Sequence, residues 1–300
     1  MVTSQDKFKA DLTICDALKT AAKLLGEAGI ENSYSEAVIL LCAALGRSKE
    51  FVYTHPQNIL VGDIVQKFQG YVESRIERKP VSYIICSKEF LGLEFYVNES
   101  VLIPRPETEI LVEYLIKIIN DRYKYGKDCK KKVRILDIGT GSGCIGISIA
   151  CNIRYAQVWC VDISNEALMT ARFNAQKHGV ESRVEFIQSD IFSNIHNMVF
   201  DIIVSNPPYI STEDIRKLDP DVRYYEPLNA LDGGEDGLFY YRSIISDAHR
   251  FLTSQGVLAF EVGIGQACVV SEILRDNSYS VRIVKDLSGI DRVVAGILCK

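Results

Sequence analysis

A chain of 300 residues has room for about two domains of ordinary size, and 47% hydrophobic against 24% charged residues excludes disorder along its whole length. Its 34 basic and 39 acidic residues leave a net charge of −5, which argues against a protein whose main task is coating nucleic acid. The longest apolar run, Ala37–Gly46, falls short of the roughly 18 residues that a membrane-spanning helix needs.

The first residues, Met1–Ala10, mix charged and polar groups and lack the apolar block of an export signal. Residues 1–79 read as a helical domain. Leu12, Ile14, Cys15, Leu18, Ala21, Ala22 and Leu25 recur at helix spacing up to Gly26 and Gly29. A second helix carries Ala37, Leu40, Leu41 and Ala44, and a third runs from about Val61 to Arg78. From Pro80 the pattern changes. Val81–Cys86 and Leu93–Val97, around Gly92, predict a paired hairpin, so 80–106 reads as hairpin and linker. Two prolines in Val101–Glu109 forbid a helix until Pro106, and Thr108 to about Tyr123 is amphipathic. Gly126–Lys132 is a charged connector. Strands and helices then alternate. Strands are expected at Val133–Ile138, Gln157–Val161, Arg183–Gln188, Phe200–Ser205, Val257–Val262, Ser280–Lys285 and Arg292–Leu298. Helices fall between the glycine turn and Ala150, then at Asn165–His178, Gly237–Leu252 and Gln266–Arg275. This alternation predicts a doubly wound, mostly parallel α/β sheet in a domain spanning 107–300. The last two strands lie too close for a helix between them and are expected to be antiparallel.

Nine cysteines, none in C-x-x-C spacing, predict reduced thiols in a cytoplasmic protein. The four histidines are not near cysteines at zinc-ligand spacing, so no metal is expected. Two segments carry chemistry. Asp137-Ile138-Gly139-Thr140-Gly141-Ser142-Gly143 closes the first strand of the sheet in a glycine turn, where a ligand can meet bare backbone and a helix N-terminus. Gly141 to Gly146 also satisfies the dinucleotide pattern G-x-G-x-x-G, with Asp162 placed to hold a ribose. Against a pyrophosphate stands Asp137, whose carboxylate suits an amino-bearing or cationic ligand; S-adenosylmethionine fits that demand. The second segment is Asn206-Pro207-Pro208-Tyr209, at the carboxyl end of the fourth strand. The prolines lock the backbone and leave carbonyl acceptors. Asn206 oxygen and the Pro207 carbonyl can hold the two hydrogens of a planar NH2 group, with Tyr209 offering an aromatic face. Such a nitrogen is a poor nucleophile, and holding it so aims its lone pair at an electrophilic methyl.

With both segments in hand the chain resembles the release factor glutamine methyltransferases. Leu102–Glu109 (LIPRPETE) and the block Glu226-Pro227, Ala230-Leu231, Gly233-Gly234, Asp236-Gly237-Leu238 are the narrower matches, and Asp286–Arg292 resembles the family's end. The resemblance implies a class I S-adenosylmethionine-dependent methyltransferase fold with an N-terminal helical substrate-recognition domain. It implies transfer to the side-chain amide nitrogen of the glutamine in the Gly-Gly-Gln motif of class 1 release factors, with S-adenosylhomocysteine as product. Partners are then release factors, with no stable nucleic acid and no membrane. It further implies that Asp137, Gly139, Thr140, Gly141, Ser142, Gly143 and Asp162 face the cofactor. Asp190 and Ile191 fall at the adenine, Asn206 meets both ligands, and Pro207, Pro208 and Tyr209 line the glutamine pocket. Arg105 and Glu107 either close the site or form a buried ion pair. Ser211–Gly234 is either a lid or a solvated connector. Other readings are a ribosomal-protein glutamine methyltransferase, an adenine-N6 methyltransferase, a NAD-dependent dehydrogenase and a non-catalytic binding protein.

Overall fold

The structure is a computed structural model that describes residues 12–124 and 132–299. Met1–Ala10 and most of the connector Gly126–Lys132, with Cys129, lie outside the described residues. The chain divides into two compact units, Met1–Cys86 with Pro220–Tyr225, and Ser87–Asp219 with Glu226–Lys300.

The first unit is helical: α1 (Ile14–Glu27), α2 (Ser33–Leu45), α3 (Lys49–Thr54), α4 (Gly62–Ile76) and α5 (Val81–Ile84). Thr13 caps α1 by accepting the Asp16 N–H, and α2 ends at Gly46 in the left-handed region. Leu18, Leu25, Leu40, Leu41 and Phe68 interlock as its core. Arg75 on α4 is buried and bonds two carboxylates, Glu36 at 2.6 Å and Asp221 at 2.7 Å. Asp221 lies on the short helix Pro220–Tyr225, whose Tyr225 hydroxyl donates to the Glu77 carbonyl at 2.6 Å.

Val81–Cys86 is not a strand. Pro80 opens a helical turn there, and Cys86, at φ 53°, ends it. The hairpin is made instead by β1 (Lys88–Phe90) and β2 (Leu93–Phe95), joined by Leu91 and Gly92 in left-handed conformation. The next helix, α6 (Pro106–Ile119), starts at Pro106, where a missing N–H costs nothing, and closes in a π-helical turn at Asn120–Lys124.

Seven strands follow: β3 (Val133–Ile138), β4 (Ala156–Asp162), β5 (Val184–Gln188), β6 (Phe200–Ser205), β7 (Leu252–Glu261), β8 (Tyr279–Lys285) and β9 (Asp291–Leu298). Their order is β5-β4-β3-β6-β7-β9-β8. The first five are parallel, and β9 runs antiparallel to both its neighbours. Helices cover both faces, which is why β6 is buried at every residue. α7 (Cys144–Asn152) follows β3, and α8 (Asn165–Lys177) follows β4. The strand order reverses between β3 and β6, so a crevice opens at their carboxyl ends. Their register pairs Ile138 with Ser205, which brings Gly139 beside Asn206.

Candidate active site

Three glycines at positive φ (Gly139 69°, Gly141 54°, Gly143 82°) fold the turn after β3. Asp137 holds it from behind. Its Oδ2 accepts from the Thr140 hydroxyl at 2.6 Å and from the Gly146 N–H at 3.0 Å. Burial pushes this carboxyl up to about 6, and its Oδ1 has no protein partner. Asp137 is fully buried and, with Thr140, Ser142 and Gly143, does not line the cavity. These four shape the turn, and Gly139 and Gly141 present its open side to the cavity.

Asp162 ends β4 on the cavity wall. Its two oxygens accept the backbone N–H groups of Gly141 at 2.9 Å and Ser164 at 3.0 Å, yet burial still raises its pKa. Asp190 and Ile191 form the next part of the wall. Ile191 sits at φ 49°, a strained region for a β-branched residue. Ser189 holds it there, donating to the Ile191 carbonyl at 3.0 Å while accepting the Asn194 N–H at 3.1 Å.

Asn206, Pro207 and Pro208 form a further part of the wall, beside Gly139. The Asn206 Nδ2 donates to Thr108 Oγ1 at 3.2 Å. Tyr209 does not line the cavity. Its ring packs against the core of Tyr241 and Phe260, and burial lifts its phenol to about 12, so it stays neutral. Its backbone is enclosed. Gln266 Nε2 donates to the Tyr209 carbonyl at 2.9 Å. A Cβ on Gly233 would stand 2.7 Å from the Pro208 carbonyl oxygen, and one on Gly237 would strike the Tyr209 carbonyl. The G-G…D-G block is thus the complement of the Asn-Pro-Pro-Tyr segment.

Arg105 pairs with the buried Glu226, joining the two narrow sequence blocks. Neither Arg105 nor Glu107 lines the cavity. Ser211–Gly234 is no plain connector, because Pro227, Asn229 and Ala230 form part of the cavity wall. Sequence reasoning missed these, together with Ser100, Leu102 and Tyr240. It also missed Asn174, a fully buried side chain that bonds the Tyr96 backbone and the Ser142 carbonyl. Leu102, Pro227 and Ala230 stand in legible motifs; the others carry no local signal. Burial raises the thiols of Cys144, to about 12, and Cys160, and leaves them inert.

A family model described as the methyltransferase small domain matches residues 110–218, and one described as the PrmC N-terminal domain matches residues 16–85. A release factor glutamine methyltransferase from Geobacter sulfurreducens is 40% identical over 285 residues, covering 95% of this chain and 96% of that protein. Another from Clostridium acetobutylicum is 38% identical over 290 residues, covering 95% and 99%. Among solved structures, a methyltransferase from Pyrococcus furiosus aligns with a TM-score of 0.52 at 19% identity, over 75% of this chain and 98% of that one. The fold is that of the class I methyltransferases, as the sheet order indicates.

Proposed function

Because this chain belongs to the release factor glutamine methyltransferase family, we propose that it methylates the side-chain amide nitrogen (N5) of the glutamine in the Gly-Gly-Gln motif of class 1 release factors, in support of translation termination. One observation carries the reading. The Asn206–Pro208 acceptors and the Gly139, Gly141 and Asp162 turn line a single cavity.

The wall also bears on the cofactor. Among the described residues it holds two carboxylates, Asp162 and Asp190, and no lysine, arginine or histidine. A pyrophosphate would meet like charge there, whereas a ligand with an amine and a sulfonium meets complementary charge. S-adenosylmethionine, which supplies an electrophilic methyl on cationic sulfur, fits, and the dinucleotide reading does not. In the proposed roles Asp162 accepts the ribose hydroxyls, Asp190 and Ile191 border the adenine, and the backbone of Gly139 and Gly141 gives close approach. Asn206 oxygen and the Pro207 carbonyl hold the two hydrogens of the glutamine amide and stabilise positive charge developing on its nitrogen. Loss of the sulfonium charge assists, so the site needs no acid–base histidine.

We assign residues 1–79 to recognition of the protein substrate, 80–106 to connection and 107–300 to catalysis. The match of 16–85 to the PrmC N-terminal domain supports the first assignment. Among the described residues, no helix is long and apolar enough to cross a membrane. The cytoplasm, where release factors act, is the proposed place of work.

The test is transfer from labelled S-adenosylmethionine to purified release factor, ribosomal proteins and DNA in parallel, with the modified residue mapped by mass spectrometry. Label on the glutamine of Gly-Gly-Gln is expected. Label on adenine or on a ribosomal protein alone would overturn the substrate.

A further inference from the structure

The chain leaves the catalytic unit after Asp219, belongs to the helical unit over Pro220–Tyr225, and rejoins the catalytic unit at Glu226. The cavity wall resumes one residue later, with Pro227, Asn229 and Ala230. This stretch of wall has little packing of its own. Leu228–Ala230 is a single 3-10 turn with no buried residue, and Leu228 is 60% exposed. A turn that gains so little from apolar burial takes its position from its two ends. The far end is tied to the segment after Tyr209. The Ile210 N–H donates to the Leu231 carbonyl at 3.1 Å, the Gly233 N–H to the Ile210 carbonyl at 2.8 Å, and the Thr212 hydroxyl to Asp232 at 2.8 Å. The near end is held by the buried Glu226, paired with Arg105, and by the six residues before it.

We infer that Asp221 and Tyr225 are positioning residues, through which the helical unit sets the 227–230 wall of the ligand cavity. This deepens the proposed function and takes its ligand from it. Neither residue lines the cavity. Both are fastened inside the helical unit, Asp221 to Arg75 at 2.7 Å and the Tyr225 hydroxyl to the Glu77 carbonyl at 2.6 Å. Arg75 is itself fixed by Glu36 of α2 at 2.6 Å, and its side chain is only 6% exposed. A pair so shielded from water holds its geometry far better than a surface pair does. The hold is passed on stiffly. Two residues separate Tyr225 from Pro227, a span of at most about 7 Å. Pro227 is locked at φ −65°, and the residue before a proline is restricted as well, so few soft dihedrals lie between the anchor and the wall. Loss of the anchors should therefore loosen the wall although no cavity residue has changed.

The test compares wild type with Asp221→Ala, Tyr225→Phe and a control in the same unit, Thr13→Ala, which removes the α1 cap and leaves the 220–225 segment intact. Two quantities are measured: amide hydrogen exchange without ligand, and S-adenosylhomocysteine affinity by calorimetry. The Ala230, Leu231 and Asp232 amides close the wall turn, donating to Pro227, Leu228 and Leu228 carbonyls at 2.9, 3.0 and 2.9 Å. In Asp221→Ala they should exchange about fivefold or more faster, while amides of β3 and β6 keep their wild-type rates. Affinity should fall by about fivefold or more. Tyr225→Phe should move both quantities in the same direction, and Thr13→Ala neither. Either quantity unchanged in both Asp221→Ala and Tyr225→Phe would overturn the inference while methyl transfer stands, as would an equal change in Thr13→Ala. If Asp221→Ala fails to fold, Tyr225→Phe decides by the same criteria. No binding by wild type would overturn the proposed cofactor instead, and exchange alone then decides the inference.

Discussion

Asp137 makes a measurable claim about the energetics of the glycine turn. Its carboxyl is lifted from an ordinary 3.8 to about 6, chiefly by burial, with the Thr140 and Gly146 hydrogen bonds acting in the opposite direction. The native state thus prefers Asp137 protonated, whereas the unfolded chain ionises it near 3.8. Its stabilising contribution is full below about pH 3.8 and is lost as pH rises through about 6. The gap is roughly two pH units, or about 3 kcal/mol. Asp137→Asn keeps an oxygen for Thr140 and Gly146 and cannot titrate. Wild-type stability minus that of Asp137→Asn should therefore fall by about 2 kcal/mol between pH 4 and pH 7, the rest of the gap lying below that range. The absolute offset depends on how the asparagine NH2 is accommodated, but the slope does not. Urea unfolding of both chains across that range measures it, and other titrating groups cancel in the difference. A pH-independent difference would refute the reasoning, since Asp137 would then ionise in the fold as it does in water.

Three further outcomes are expected. Asn206→Ala should cost about a hundredfold or more in kcat while cofactor affinity changes much less; near-normal turnover would remove its assigned role. Asp162→Ala should weaken cofactor binding by about 2 kcal/mol in calorimetry, and unchanged affinity would contradict its place at the ribose. In Gly146→Ala, the new Cβ would stand 2.8 Å from Cys160 Sγ and 3.0 Å from Val158 Cγ1. Overpacking of about 1–3 kcal/mol should outweigh the gain of about 1 kcal/mol in helix propensity. The melting temperature should drop, and Cys160→Ala in the same chain should recover part of it; a higher melting temperature in Gly146→Ala alone would show that the space exists.

The sheet was legible because parallel strands buried on both faces announce themselves as apolar runs. Phe200–Ser205 has the bounds its pattern predicts. Elsewhere local pattern was ambiguous or silent. The apolar run at Val81 cannot be told from a helical turn by periodicity over so few residues. The helix expected from Gly237 begins at Phe239, because Gly237 is left-handed at φ 72° and Leu238 is held by the Asp236 side chain. β7 starts at Leu252, five residues before its expected start, and its pairing with β6 slips between Phe200 and Ile202 around a left-handed Gln255. Of the site, the turn and the Asn206 segment could be read because each is contiguous. Tyr240 and Asn174 could not, since each reaches its place only through tertiary structure.

The enclosure of the Tyr209 backbone by Gly233, Gly237 and Gln266 also bears on the order of folding. Strands β3, β4 and β6 are complete by Ser205 and can pair as soon as that much chain is available. The segment that follows them gains its rigid shape only when residues some sixty positions later have closed around it. Loop-closure cost rises only slowly with length, so the delay comes from the order in which the chain is made. During synthesis, the crevice between β3 and β6 can thus exist while its Asn206 wall is still loose. Affinity for small ligands at the glycine turn should mature before the ability to use them.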